Sequence, residues 1–201
     1  MNAQTIEKYR ALMANLDPEG PPTAQFVHRT TNPIQQPGQH LGVLDASFNP
    51  LTLAHEALVR HAQNAFDFGE MVLFLAKTNV DKDLFGADLG QRLAMMVDYA
   101  GTDLSVAGCS HARFVDKAQA LHTLCPKETQ IYFLVGHDTL IRIFEPRYYT
   151  DMNRELRALF SLCHIVSANR GDKGQEAFET FMSRPECAPF ANRVHLLQLP
   201  A

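Results

Sequence analysis

The stretch GVLDASFNPLTLAHEALVR, residues 42–60, contains a change of period. It opens as an apolar run of strand character and is broken at Asn49-Pro50. From Leu53 onward, Ala54, Ala57, Leu58, Ala62 and Ala65 recur at helical spacing. Thr52 and His55, three residues apart, share one face of that helix's first turn. There the unpaired backbone N–H groups and the positive end of the helix dipole favour an anion. A hydroxyl and an imidazole add two directed donors, a geometry that suits a phosphate better than a metal. The same residues also serve as a plain N-cap and a surface histidine, and the stretch alone leaves both readings open.

Outward from this stretch the pattern alternates. Apolar runs at 41–46, 71–76, 104–109, 131–136, 163–168 and 194–199 read as buried strands. Helical stripes lie between them: Leu89, Leu93, Met96, Val97 and Ala100; Phe114, Ala118, Leu121 and Leu124; and a shorter one, Ala177, Phe178, Phe181 and Met182. Strands alternating with helices predict an α/β fold, a mainly parallel sheet covered on both faces. Ligands of such sheets bind beyond the carboxyl ends of the strands, which directs attention to Ser47–His55, Lys77–Lys82, Gly136–Thr139 and Asn169–Gly171. Before the alternation, Ile6, Tyr9, Leu12, Met13 and Leu16 predict a helix over 3–16. Five prolines between Asp17 and Gln39 predict an arm without regular structure. The expected division is therefore 1–39, helix and arm, and 40–201, the α/β domain.

The 201 residues, 46% hydrophobic and 20% charged with a net charge of −4, are ordinary for a globular chain and lack the basic face of a dedicated nucleic-acid binder. No apolar run is long enough for a membrane span, and the first twenty residues do not read as a signal peptide. Cys109, Cys125, Cys163 and Cys187 have no metal-ligand spacing and read as reduced thiols of an intracellular protein, cytoplasmic or nuclear.

DASFNPLTLAH resembles the (H/T)-x-x-H signature of the nucleotidyltransferase superfamily, which implies a Rossmann-like fold. Ser-Phe-Asn-Pro ahead of Thr-x-x-His is similar to nicotinamide and nicotinate mononucleotide adenylyltransferases, the fungal branch above all. The resemblance implies that His55 meets the transferring phosphoryl group with Thr52 as accessory donor, and that the Ser47 and Phe48 backbone lies against the nucleotides. Ala46, preceded by Asp45, stands where most relatives have glycine. FLVGHDTLIRIFEPRYY, 133–149, resembles the family's Gly-x-Asp segment. It implies that Gly136 and Asp138 line the dinucleotide site and that Tyr149 stacks on the pyridine ring. With no tryptophan in the chain, stacking falls to Tyr148, Tyr149 or Phe114, while Asp138 or Thr139 reads as a helix cap. By the same resemblance Lys82 and Arg170 bind phosphate, and Arg92 matches a helix arginine read here as a structural ion-pair residue.

The resemblance covers residues 41–171. The family pattern continues into Ile-Ser-Ser-Thr-x-x-Arg after its last strand, whereas here the last strand runs into Ala201. The expectation is a fold C-terminally incomplete relative to the family. The implied activity is adenylyl transfer from ATP, with Mg²⁺ brought by the nucleotide and no protein metal site, to nicotinamide or nicotinate mononucleotide, giving NAD and pyrophosphate. One alternative is a nucleotide-binding protein of the same fold without transfer activity. Another is a phosphopantetheine or small phosphate-ester acceptor, against which Tyr148-Tyr149 and Ser-Phe-Asn-Pro speak. The expected partners are ATP and the mononucleotide, without nucleic acid or membrane; oligomerisation is left open.

Overall fold

The computed structural model describes residues 2–78, 86–170 and 173–199. The central strands are near-continuous apolar runs whose successive side chains point to opposite faces, so both faces of the sheet are apolar. Val43, Val72 and Phe74 point into one core, and Leu44, Met71, Leu73 and Leu75 into the other. The strands are β1 (Ala24–His28), β2 (His40–Asp45), β3 (Glu70–Ala76), β4 (Ser105–Cys109), β5 (Gln130–Gly136), β6 (Cys163–Arg170) and β7 (Val194–Leu199), in the spatial order β1-β4-β3-β2-β5-β6-β7. All neighbours from β4 to β7 run parallel. One face carries α1 (Ala3–Asn15), α2 (Leu53–Ala65) and α3 (Leu89–Ala100). The other carries α4 (Phe114–His122), α5 (His137–Ile143), α6 (Met152–Leu162) and α7 (Lys173–Met182). The order reverses between β2 and β5, so the chain leaving β2 and the chain leaving β5 flank one crevice.

The proline-rich arm differs from its expected irregularity. Residues Ala24–His28 form β1, antiparallel to β4 at the sheet edge, between the prolines rather than through them. The chain that follows is anchored by Glu70, whose side chain is fully buried at the start of β3. Its carboxylate accepts from Arg29 Nη2 at 2.7 Å, Ser105 Oγ at 2.5 Å and the Ile34 amide at 3.0 Å. Helix α6 also goes beyond the sequence stripes, although Met152, Leu156, Leu159 and Phe160 recur at helical spacing and pack against the core.

Helices α1 and α3 cross at Gly90. A methyl group there would stand 2.7 Å from the Ile6 carbonyl and 2.6 Å from Arg10 Cγ. Lys77, just past β3, holds the end of α1 by donating to the Ala14 carbonyl at 2.8 Å. Gly90→Val is expected to cost about 1–3 kcal/mol through overpacking, read as a lower urea midpoint together with faster proteolysis within α1. An unchanged midpoint would mean that the crossing tolerates a side chain.

At the amino ends of β6 and β7 a chain of directed bonds sets two imidazole tautomers. Arg193 Nη1 donates to His164 Nε2 at 2.7 Å, so His164 donates Nδ1–H to His195 Nε2 at 2.9 Å. Burial, reinforced by the Arg193 charge, pushes His164 down to about 4 and lowers His195 below its ordinary value. The folded state therefore binds fewer protons than the unfolded chain below pH 6.5, and stability falls as pH drops from about 6.5 toward 4. A melting temperature several degrees lower at pH 5 than at pH 7, with the difference reduced in His164→Phe, is the expected result.

Candidate active site

The turn from β2 into α2 is held from three sides. Phe48, fully buried, sits at φ +43°, a left-handed conformation seldom adopted by a bulky residue, and the Asn49-Pro50 peptide is cis. Its ring packs under His55, centroids 5.2 Å apart. Arg92, 2% exposed on α3, donates Nη1–H to the Ser47 carbonyl at 3.0 Å and Nε–H to the Ala87 carbonyl at 2.7 Å, and lies in the field of Asp88. Burial lowers its pKa from the ordinary arginine value. Arg92 thus ties the turn to α3 through the Ser47 and Ala87 carbonyls. Asn49 accepts from the Ala87 amide, and Gly86, at φ +77°, leaves room for it, since a Cβ there would meet the Asn49 amide at 2.7 Å.

At the start of α2, Thr52 is the N-cap and His55 is residue N3. His55 Nδ1 accepts from the Thr52 amide at 3.0 Å and lies 2.8 Å from Thr52 Oγ1. With Nδ1 acting as acceptor, the neutral ring carries its proton on Nε2. Burial lowers the His55 pKa from its ordinary value, favouring that neutral form. The expected pairing of Thr52 with His55 takes a specific form: the threonine orients the histidine, and its hydroxyl faces the ring.

Across the crevice, Gly136 ends β5 and is the N-cap of α5. It is exposed, and a Cβ there would meet nothing within 4 Å. The cap position expected at Asp138 or Thr139 therefore falls on Gly136; Asp138 lies exposed in the first turn, where a carboxylate complements the helix dipole. The three aromatic candidates converge. Phe114, Tyr148 and Tyr149 line one cavity of about 220 Å³ together with Thr139, Arg142 and Glu155. Tyr149 donates to the Ile143 carbonyl, and burial pushes its phenol up to about 12. The Arg113–Glu155 ion pair stands at this cavity, with Glu155 also accepting from the amides of Thr150 and Asp151.

Lys82 lies outside the described residues. Arg170 ends β6, with its side chain likewise outside them. Sequence reasoning missed Lys117 of α4, which is 5% exposed and donates to Asp45 at 2.7 Å. The only signal was a lysine on the otherwise apolar face defined by Phe114, Ala118 and Leu121. Among the described residues no three His, Cys, Asp or Glu side chains gather as metal ligands, and no helix is long and apolar enough to cross a membrane.

The cytidylyltransferase-like family pattern matches residues 43–194. A Schizosaccharomyces pombe protein assigned as a nicotinamide mononucleotide adenylyltransferase is 36% identical over 134 residues, 64% of this chain and 52% of its own length. A Desulfitobacterium hafniense protein assigned as a nicotinate-nucleotide adenylyltransferase is 25% identical over 179 residues, 84% of this chain and 81% of its own. The chain spans about half the length of the Schizosaccharomyces relative. Plasmodium falciparum nicotinic acid mononucleotide adenylyltransferase, solved in complex with NaAD, superposes with a TM-score of 0.56 at 17% identity, covering 81% of this chain and 76% of that one, a likeness of fold.

Proposed function

The chain belongs to the cytidylyltransferase-like family, and from that premise we propose that it transfers the adenylyl group of ATP to nicotinamide or nicotinate mononucleotide, giving the dinucleotide and pyrophosphate. The observation that carries this reading is His55, fixed at the start of α2 with Nδ1 occupied by Thr52 and Nε2 left as its donor. A 5′-phosphate oxygen of the mononucleotide, already ionised at neutral pH, attacks the α-phosphorus of ATP. The new P–O bond forms as the bond from the α-phosphorus to the bridging oxygen breaks, and pyrophosphate leaves with the electron pair. No general base is required. What the chain supplies is alignment and charge stabilisation.

His55 Nε2–H and the free amides of the first turn of α2 meet the α-phosphoryl oxygens. Mg²⁺ enters as part of the substrate MgATP, as the chemistry of that ion with phosphates favours. Lys82 and Arg170 add charge on the phosphates, and the Ser47 and Phe48 main chain runs along the nucleotide. The Phe114, Tyr148 and Tyr149 cavity takes the pyridine ring. Its 220 Å³ falls below the roughly 300 Å³ at which whole-ligand pockets begin and suits a single heterocycle. Gly136 gives the dinucleotide close passage, with Asp138 beside its sugar or amide groups.

The test is pyrophosphate release on mixing the chain with MgATP and each mononucleotide. Release dependent on both substrates is expected. Binding of ATP or NAD without release would favour a nucleotide-binding protein of the same fold, and binding of neither would reject both readings.

A further inference from the structure

Asp45 is the last residue of β2, and Lys117 reaches it from α4 across the sheet end. Both side chains are largely buried, 13% and 6% exposed. The lysine ammonium also stands 5.1 Å from the centre of the Phe114 ring, one wall of the aromatic cavity. Buried ion pairs are in many cases no more stabilising than well-packed apolar pairs, so stability alone is a weak reason for the two charges. Their place does. Ser47 lies two residues beyond Asp45, within about 8 Å along the chain, and opens the turn that leads to His55. A carboxylate there, left unbalanced, repels any phosphate brought to the start of α2.

We propose that the Asp45–Lys117 pair sets the anion affinity of the turn Ala46–His55, Lys117 cancelling a carboxylate that would otherwise repel the phosphate chain of a nucleotide. Lys117 is thus a positioning residue that acts through Asp45. The inference rests on the nucleotide-binding reading above and deepens it. It also separates charge from structure. Either single substitution breaks the same pair and loosens the same contact, yet the two leave opposite charges behind. Asp45→Asn frees a cation beside the phosphate turn; Lys117→Met frees an anion.

The experiment is titration of ATP, and separately of inorganic tripolyphosphate, into the whole chain and three variants at low and high ionic strength, with thermal unfolding confirming that each is folded. Asp45→Asn should bind about 3–20-fold more tightly than wild type at low salt, and Lys117→Met weaker by a similar factor, as for one unit charge near 10 Å at intermediate dielectric. The double variant Asp45→Asn/Lys117→Met should return to within about twofold, and all differences should shrink at high salt. Should Lys117→Met not fold, Asp45→Asn against the double variant carries the same contrast. Affinities moving in the same direction in both single variants, or unmoved, would overturn the inference and leave the nucleotide reading standing. A wild-type chain that binds neither ligand would remove that reading, and this inference with it.

Discussion

His55→Ala is expected to lower the rate of adenylyl transfer by about 10²-fold or more, the loss typical of one preorganised donor on a developing negative charge. The argument is geometric. The ring is held over Phe48 at 5.2 Å and latched by the Thr52 amide at 3.0 Å, so its orientation is set before substrate arrives. A donor that needs no reorganisation in the reaction is worth more than the same group on a mobile side chain. Pyrophosphate release measured with saturating substrates gives the number, and ATP affinity should change far less than the rate. Thr52→Val, which keeps the backbone latch and loses the hydroxyl, should cost only a fraction of the histidine effect. The acid limb of the rate should lie below pH 6.5, since burial lowers the His55 pKa and a proton on Nδ1 would face the Thr52 N–H. A His55→Ala rate within threefold of wild type would remove the imidazole from the mechanism.

Glu70→Ala is expected to destabilise the fold by about 3 kcal/mol, within the range for removing one member of a buried ion pair. The carboxylate, 0% exposed at the side chain, gathers the Arg29 guanidinium, the Ser105 hydroxyl and the Ile34 amide. The alanine leaves these donors without their acceptor in a region closed to most water, at a desolvation cost for each. Arg29, 34% exposed, can turn outward and recover part of the loss, which holds the figure to the low end. Urea unfolding should show a lower midpoint at unchanged slope, and amide exchange should rise first around Ile34. A change under about 0.5 kcal/mol would mean that the segment after β1 is held by packing alone.

Most of the strand and helix order was readable because its causes are local. A continuous apolar run gives way to a 3.6-residue period across Asn49-Pro50, and the later runs repeat that change, so each element declares itself within its own residues. Strand β1 was hidden because AQFVH is too short, and too closely flanked by Pro21, Pro22 and Pro33, to outweigh the breakers around it. Its pairing with β4 lies about eighty residues away. Helix α6 was legible by the same rule: Met152, Leu156, Leu159 and Phe160 form a stripe with Arg154, Glu155 and Arg157 between them.

The candidate site divides along the same line. Thr52 and His55 meet because the first turn of a helix brings positions three apart together, and Tyr148 and Tyr149 are neighbours in the chain. Those relations are short-range, and the amino-acid order alone determined them. The folded chain alone decided that Arg92 bonds the Ser47 carbonyl, that Phe114 joins the two tyrosines, that Lys117 neutralises Asp45 and that Gly136 rather than Asp138 caps α5. The long-range contacts span up to 72 residues, and the buried Lys117 meets Asp45 only once the sheet has brought the end of β2 under α4. Nothing in the spacing of a sequence encodes that distance.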